Sequence, residues 1–332
     1  MTKPVDVEPD LDGSENVLLA PVRGPEIRRN LDPEFFQKRP GVFLVKFTAA
    51  VLIIVAAWMW VALQPSVLSI VVSVIVIGLM YAHLVELQHE CLHEHAFRSR
   101  ALNRFFGFIA GLPMLSSYWH YKYEHLRHHA FLGTPQNQEF FNYQFHKLDS
   151  PLGFVRGAYN VARYGEVVKD IGRALVGRTN PRVAKPAAAK RIRTEYQLFV
   201  VFIVAAVVWS VLAGSPYLIW VWLLPTLLVA EPTHFMIELP EHYGLNTQTD
   251  ANVLSNTRSI RGGRFGHWFT NGNDLHTAHH FHQGVPMVNV PKLHEVIKDK
   301  IETFDPSFSH FYKGVVTGEI RFQGDDKTCM TR

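Results

Sequence analysis

Three histidine clusters hold the residues of this chain best suited to chemistry. The first is His89-Glu90-Cys91-Leu92-His93-Glu94-His95. The second is Glu124-His125-Leu126-Arg127-His128-His129, and the third is His276-Thr277-Ala278-His279-His280, with His282 just beyond. Eighteen of the 332 residues are histidine, and imidazole is the commonest metal ligand among side chains. On an α-helix, offsets of three and four residues return to one face. His89 and His93 have that spacing, as do His125, His128 and His129, and the set His276, His279 and His280. Each cluster can therefore aim two or three imidazoles at one point. Together they exceed the four ligands of a structural zinc site, which implies two metals with open or water-filled positions.

The neighbouring residues take supporting roles in this reading. Glu90, Glu94, Glu124, Glu238, Glu241 and Asp274 flank the histidines. A metal-bound imidazole usually donates its outer N–H to such a group, so they are expected behind the ligands rather than on the metal. Asn271 and Asn273 are placed to orient a metal-bound water. His83 lies inside an apolar run and reads as a hydrogen-bonded packing residue. His95, His120, His146, His267 and His282 read as supporting or surface groups, and His294 and His310 as surface residues.

Long apolar runs must position these clusters. Phe43 to Leu63 is apolar apart from Lys46, which can snorkel to an interface. Gln64-Pro65 interrupts it, and a second run starts at Ser66. Leu198 to Gly214 and Pro216 to Ala230 repeat the pattern around a Gly214-Ser215-Pro216 turn. Each run approaches the roughly 20 residues that cross a hydrocarbon core of about 30 Å. The predicted architecture is all-α and membrane-integral. Its four transmembrane helices, at about 43–63, 66–88, 197–214 and 216–239, form two tight hairpins. Phe105 to Ser117 is too short to span and reads as interfacial or re-entrant. Residues 147–196 read as a flexible region, their Ala/Pro/Lys tract as a linker.

Basic residues orient the hairpins. The two hairpin turns are uncharged. Arg23, Arg28, Arg29, Lys38 and Arg39 precede the first span, Arg98, Arg100, Arg104, Lys122 and Arg127 follow the second, and a basic stretch, Arg178 to Arg193, precedes the third. Both termini are therefore expected to be cytoplasmic: a segment 1–40, a membrane domain 41–300 and a tail 301–332. All three clusters then fall on the cytoplasmic side. Residues 1–40 lack the short apolar core of a secretory signal. A net charge of +4 gives no reason to expect nucleic acid as a partner. Cys91 and Cys329 are too few and too far apart for a disulfide framework.

A further ligand is expected near the end of the fourth span, where His234 and His242 compete. At about 1.5 Å per residue, His89 lies roughly 35 Å along its helix from Ser66. His234 and His242 lie roughly 27 and 39 Å from Pro216. His242 matches the depth of the first cluster better, with His234 as the substitute.

The ordered motifs HECLH, HLRHH and HTAHH, set between paired spans, resemble the three boxes of the membrane fatty acid desaturase superfamily. Around the third box, Asn256-Thr257-Arg258-Ser259 and the run HTAHHFHQGVPMVNVPKLH resemble the bacterial acyl-lipid branch, which implies a bacterial inner membrane. The resemblance implies a cytoplasmic helical cap over the four spans, holding two iron ions through His89, His93, His125, His128, His129, His276, His279 and His280, with His242 as the ninth ligand. It implies O2 as co-substrate and desaturation of a fatty-acyl or similar lipid-like chain. Glu241-His242-Tyr243-Gly244 is similar to an element of membrane alkane monooxygenases, so the alternative is a hydroxylase acting on a lipid, alkane, carotenoid or specialised metabolite. The position before the third box reads Asn273-Asp274-Leu275, where close relatives often carry tyrosine. His234, Glu238, Asn273 and Asp274 are the residues expected to back the ligands or to replace one. Two cysteines cannot hold an iron–sulfur cluster, so electrons must come from a separate ferredoxin- or cytochrome-type donor with its reductase. A histidine-rich metal transporter is the reading from another class. Transporters set their ligands at mid-membrane, whereas these clusters lie outside the spans.

Overall fold

A computed structural model describes residues 31–323 apart from Asn142, Gln144 and Asp149. The basic residues Arg23, Arg28 and Arg29 and the cysteine Cys329 lie outside the described residues. Four helices are long and apolar enough to cross a membrane. The first hairpin pairs α1 (Pro40–Leu63) with α2 (Val67–Leu92). Ser66 and Ser69 cap each other across the turn: Ser69 N donates to Ser66 Oγ (3.1 Å) and Ser66 N to Ser69 Oγ (2.9 Å). This satisfies two backbone donors that a helix start otherwise leaves open. At 26 residues, α2 is about 39 Å long, more than the hydrocarbon core needs. Every residue from Met80 to Leu92 is buried, so α2 is the central post and carries the first histidine cluster out of the apolar zone.

The helices α3 (Arg100–Gly111) and α4 (Tyr118–Phe131) follow, then α5 (Pro151–Tyr159), α6 (Val161–Leu175) and α7 (Pro186–Leu212). The linker expected within 147–196 is therefore largely helical, and the third span's helix begins at Pro186 rather than at 197. Pro186 occupies the first helical turn, where its missing N–H costs nothing, and alanine is the best helix former. Ala188, Ile192, Glu195, Tyr196 and Phe199 form one buried face, and α6 packs against α7. Of the basic residues between them Lys190 is exposed, while Arg191 stacks on Trp119 (4.4 Å) and Arg193 donates to Gly177 O (2.8 Å). Lys46 is not simply snorkelling either: its Nζ donates to Asn271 Oδ1 (2.7 Å).

The fourth span runs from Leu218 to His242. Leu218–Leu223 and Pro225–Ala230 are wound as π-helix before α8 (Glu231–His242). Proline has no N–H to donate, so the ladder re-registers locally around Pro225. Exposed apolar residues such as Val45, Leu52, Val55, Val201, Val204 and Val211 cover α1 and α7, as a lipid-facing surface requires. Beyond α8, short helices α9 (Val253–Asn256), α10 (Gly263–Phe269), α11 (His276–Phe281), α12 (Val290–Ile297) and α13 (Phe308–Thr317) build a cap. A two-residue parallel pairing of Ser259–Ile260 with Phe304–Asp305 ties them together. The cap extends past 300: Tyr312 Oη donates to Met236 O (2.6 Å), which holds α13 on α8.

Candidate metal centre

Each histidine cluster sits on a helix whose end is fixed by other parts of the chain. Glu195 of α7 caps α4, accepting from Ser117 Oγ (2.6 Å) and Trp119 N (2.9 Å). A carboxylate at a helix N-terminus also complements the helix dipole. Arg258 closes α8 from the other end, donating to the carbonyls of Pro240 (2.6 Å) and Tyr243 (2.8 Å) while paired with Asp305 (2.9 Å). Next to it, Ser259 Oγ accepts from Thr277 N (3.1 Å) and anchors α11.

The nine histidines converge in two groups. His89, His93, His125, His129 and His279 have ligand atoms within 4.8 Å of one another, and so do His128, His242, His276 and His280. In the first group, His125 Nε2 lies 2.8 Å from His89 Nε2, 2.9 Å from His93 Nε2 and 3.0 Å from His129 Nε2. His279 Nε2 lies 3.0 Å from His129 Nε2. In the second, His276 Nε2 is 3.1 Å from His242 Nε2 and His128 Nε2 is 3.3 Å from His280 Nε2. The groups adjoin, with the rings of His129 and His280 stacked at 4.1 Å.

These spacings fit bound ions better than hydrogen bonds. A ring nitrogen carries either one proton or one lone pair, so His125 Nε2 cannot bond to three others at once. Two nitrogens bound at about 2.1 Å to one ion, at right angles, stand about 3.0 Å apart. Burial, and behind it repulsion from neighbouring rings, hold His93, His125, His129, His276, His279 and His280 well below the ordinary imidazole pKa. Neutral rings keep the lone pairs a cation needs.

The outer nitrogens are held by partners that were partly missed. His128 Nδ1 faces Asn137 Oδ1 (2.8 Å), His276 Nδ1 faces Asn273 Oδ1 (3.0 Å) and His242 Nδ1 faces Asn256 O (3.1 Å). Of these, only Asn273 was expected. Nothing in the spacing around Asn137 marks it, and Asn256 acts through a backbone carbonyl. Among the described residues, His89 Nδ1 and His279 Nδ1 have no partner.

Most of the flanking carboxylates do other work. Glu94 pairs with Lys122 (2.9 Å) and Arg100 (3.3 Å), Glu124 faces His120 (3.9 Å), and Glu90 accepts from Asn271 (2.9 Å). Asp274 accepts from His267 Nδ1 (2.8 Å) and Gly262 N (3.2 Å), away from the nine rings. His234 lies eight residues before His242, about 12 Å deeper along the helix. It meets Tyr143 Oη (2.9 Å), Glu238 (3.3 Å) and Glu86 (3.7 Å) and belongs to neither group. His83 stacks on Trp268 and faces Phe269 O (2.7 Å), a packing role. His310 is exposed beside Asp305.

Two cavities adjoin this centre or the spans below it. One, of about 20 Å³, lies among His89, His125, His128, Tyr121 and Glu139, room for a molecule the size of water or O2. The other, of about 440 Å³, is lined by apolar groups of the spans, including Phe47, Trp58, Leu84, Phe202 and Trp222. That volume is typical of small-molecule sites.

The family described as fatty acid desaturase matches residues 65–312, which is 248 of the 332 residues counted inclusively. A comparison with curated proteins gave no match.

Proposed function

The chain belongs to the fatty acid desaturase family, and from that premise we propose that it is an O2-dependent di-iron desaturase of a fatty-acyl or similar lipid-like chain. It is an all-α integral membrane oxidoreductase; the iron, the substrate and the outcome are our reading. The convergence of nine imidazoles in two adjoining groups carries it. Two iron ions held by those groups would supply, with O2, the oxidising power that breaks an unactivated C–H bond.

The protein's own part is placement and exclusion of water. Asn137, Asn273 and the Asn256 carbonyl fix which nitrogen of His128, His276 and His242 points inward. The apolar cavity between the spans suits a hydrocarbon chain, and holding one C–H bond at a set distance from the centre is what selects the carbon attacked. Desaturation consumes one O2, two electrons and two protons and yields an alkene and two waters. The electrons come from a separate ferredoxin- or cytochrome-type donor with its reductase. The donor would dock on the face that bears the cap, where Arg98, Arg182 and Lys190 are exposed. We take that face to be cytoplasmic.

Hydroxylation is the second reading, favoured by the likeness of Glu241-His242-Tyr243-Gly244 to the alkane monooxygenase element. Mass spectrometry of the product, with the purified chain, a ferredoxin and its reductase, and acyl or alkane chains, separates the two. Loss of two hydrogens is expected. A product heavier by one oxygen would overturn desaturation, and a chain that consumes no O2 with iron bound would overturn both.

A further inference from the structure

We infer that Glu241 supplies a carboxylate oxygen to the metal of the four-histidine group, in addition to the four imidazoles. The inference rests on the two-metal reading above and deepens it. By position, Glu241 belongs behind a ligand, taking its outer N–H. The structure puts it on the other side of the ring.

Hydrogen bonds fix the direction of each lone pair. The Asn273 amide donates from Nδ2 to Glu241 Oε1 (2.5 Å), which turns its Oδ1 towards His276 Nδ1 (3.0 Å). An amide oxygen only accepts, so His276 carries its proton on Nδ1 and presents a lone pair at Nε2. The same reasoning applies to His242, whose Nδ1 faces the Asn256 carbonyl (3.1 Å). Glu241 Oε2 then stands 3.3 Å from His276 Nε2, and His242 Nε2 stands 3.1 Å from the same atom. With Glu241 ionised, three buried acceptors meet at this point. Glu241 Oε2 keeps the same distance from His276 Nε2 as His128 Nε2 keeps from His280 Nε2 (3.3 Å), while lying outside the 4.8 Å set formed by the four imidazoles.

Such a meeting of lone pairs is unfavourable unless a cation sits among them. The five-histidine group has one more ring and no such oxygen against it among the described residues. Glu139 Oε1 is farther off, 3.9 Å from His242 Nε2, and its side chain is more exposed. The two metals would thus differ: one bound by five imidazoles, the other by four imidazoles and a carboxylate.

The test is a titration of metal-free protein with Co2+, read through its visible ligand-field bands, for wild type and Glu241→Gln. Wild type should bind two ions with two distinguishable band sets. In Glu241→Gln one ion should weaken beyond the ~10–100-fold that loss of an outer partner costs. The bands of that ion alone should shift, with the other set unchanged. Two ions of wild-type affinity with unchanged bands in Glu241→Gln would overturn the proposal. Fewer than two ions in wild type would overturn the two-metal reading, and the proposal with it. Should Glu241→Gln fail to insert, Glu241→Asp retains a carboxylate and serves in its place. One shifted band set is then expected, and two unchanged sets would overturn the proposal.

Discussion

An imidazole has one nitrogen for a metal and one for the protein, and the second decides where the first points. Asn137 holds His128 and Asn273 holds His276. Neither asparagine would touch a metal, yet each fixes a tautomer. Asn137→Ala and Asn273→Ala should each leave the protein inserted and lower the affinity of the four-histidine group by roughly 10–100-fold, measured by iron retention against a chelator. The histidines themselves behave differently. His128→Ala and His279→Ala should both abolish turnover, and because they belong to different groups each should deplete a different iron. Full loading of either variant, by metal analysis of the purified protein, would show the assignment to be wrong.

Helix packing decides whether the clusters reach one another. The central post α2 meets the fourth span at Gly78, where an added Cβ would overlap Val229 Cβ and come within 2.7 Å of Pro225 O. Close approach through small residues is how membrane helices gain packing contacts. Gly78→Ala should therefore destabilise by about 1–3 kcal/mol through overpacking, seen as a lower unfolding midpoint in detergent. A second fixture joins α6 to the fourth span. Arg163 is bidentate to Glu231 (3.1 and 2.6 Å), both buried, and also donates to Met114 O (3.1 Å). Removing one partner leaves a charge stranded. Arg163→Met and Glu231→Gln should each cost about 3–5 kcal/mol, and the double variant markedly less than their sum. Additive losses in that cycle would mean that the pair is not coupled.

At the scale of the molecule, the histidines gather at one end of the span bundle. Both tight turns, at Gln64-Pro65 and Gly214-Ser215, lie at the starts of helices whose far ends carry His89 and His242. With Cys329 replaced by serine, a cysteine introduced at Ser215 should react with an impermeant label only from the face opposite to one introduced at Ser309. Labelling of both from the same side would overturn the two-hairpin topology.

Hydrophobic length and helical periodicity are local, so the four spans and the three clusters were legible from residue order alone. Offsets of three and four residues already said that each cluster shares a face, and rise per residue already preferred His242 to His234 by depth. The helical start of α7 was not legible, because its basic residues masked the buried face that only α6 and its neighbours reveal. Nor were the partners of the rings. Asn137 reaches back nine residues from a loop to His128, and Asn256 acts through its backbone carbonyl, so no helical spacing announces them. Glu241 shows the limit most clearly. Its place beside His242 named it as a neighbour of the site, but which side of an imidazole a carboxylate faces depends on how α8 and α11 cross. Long-range packing alone decides that.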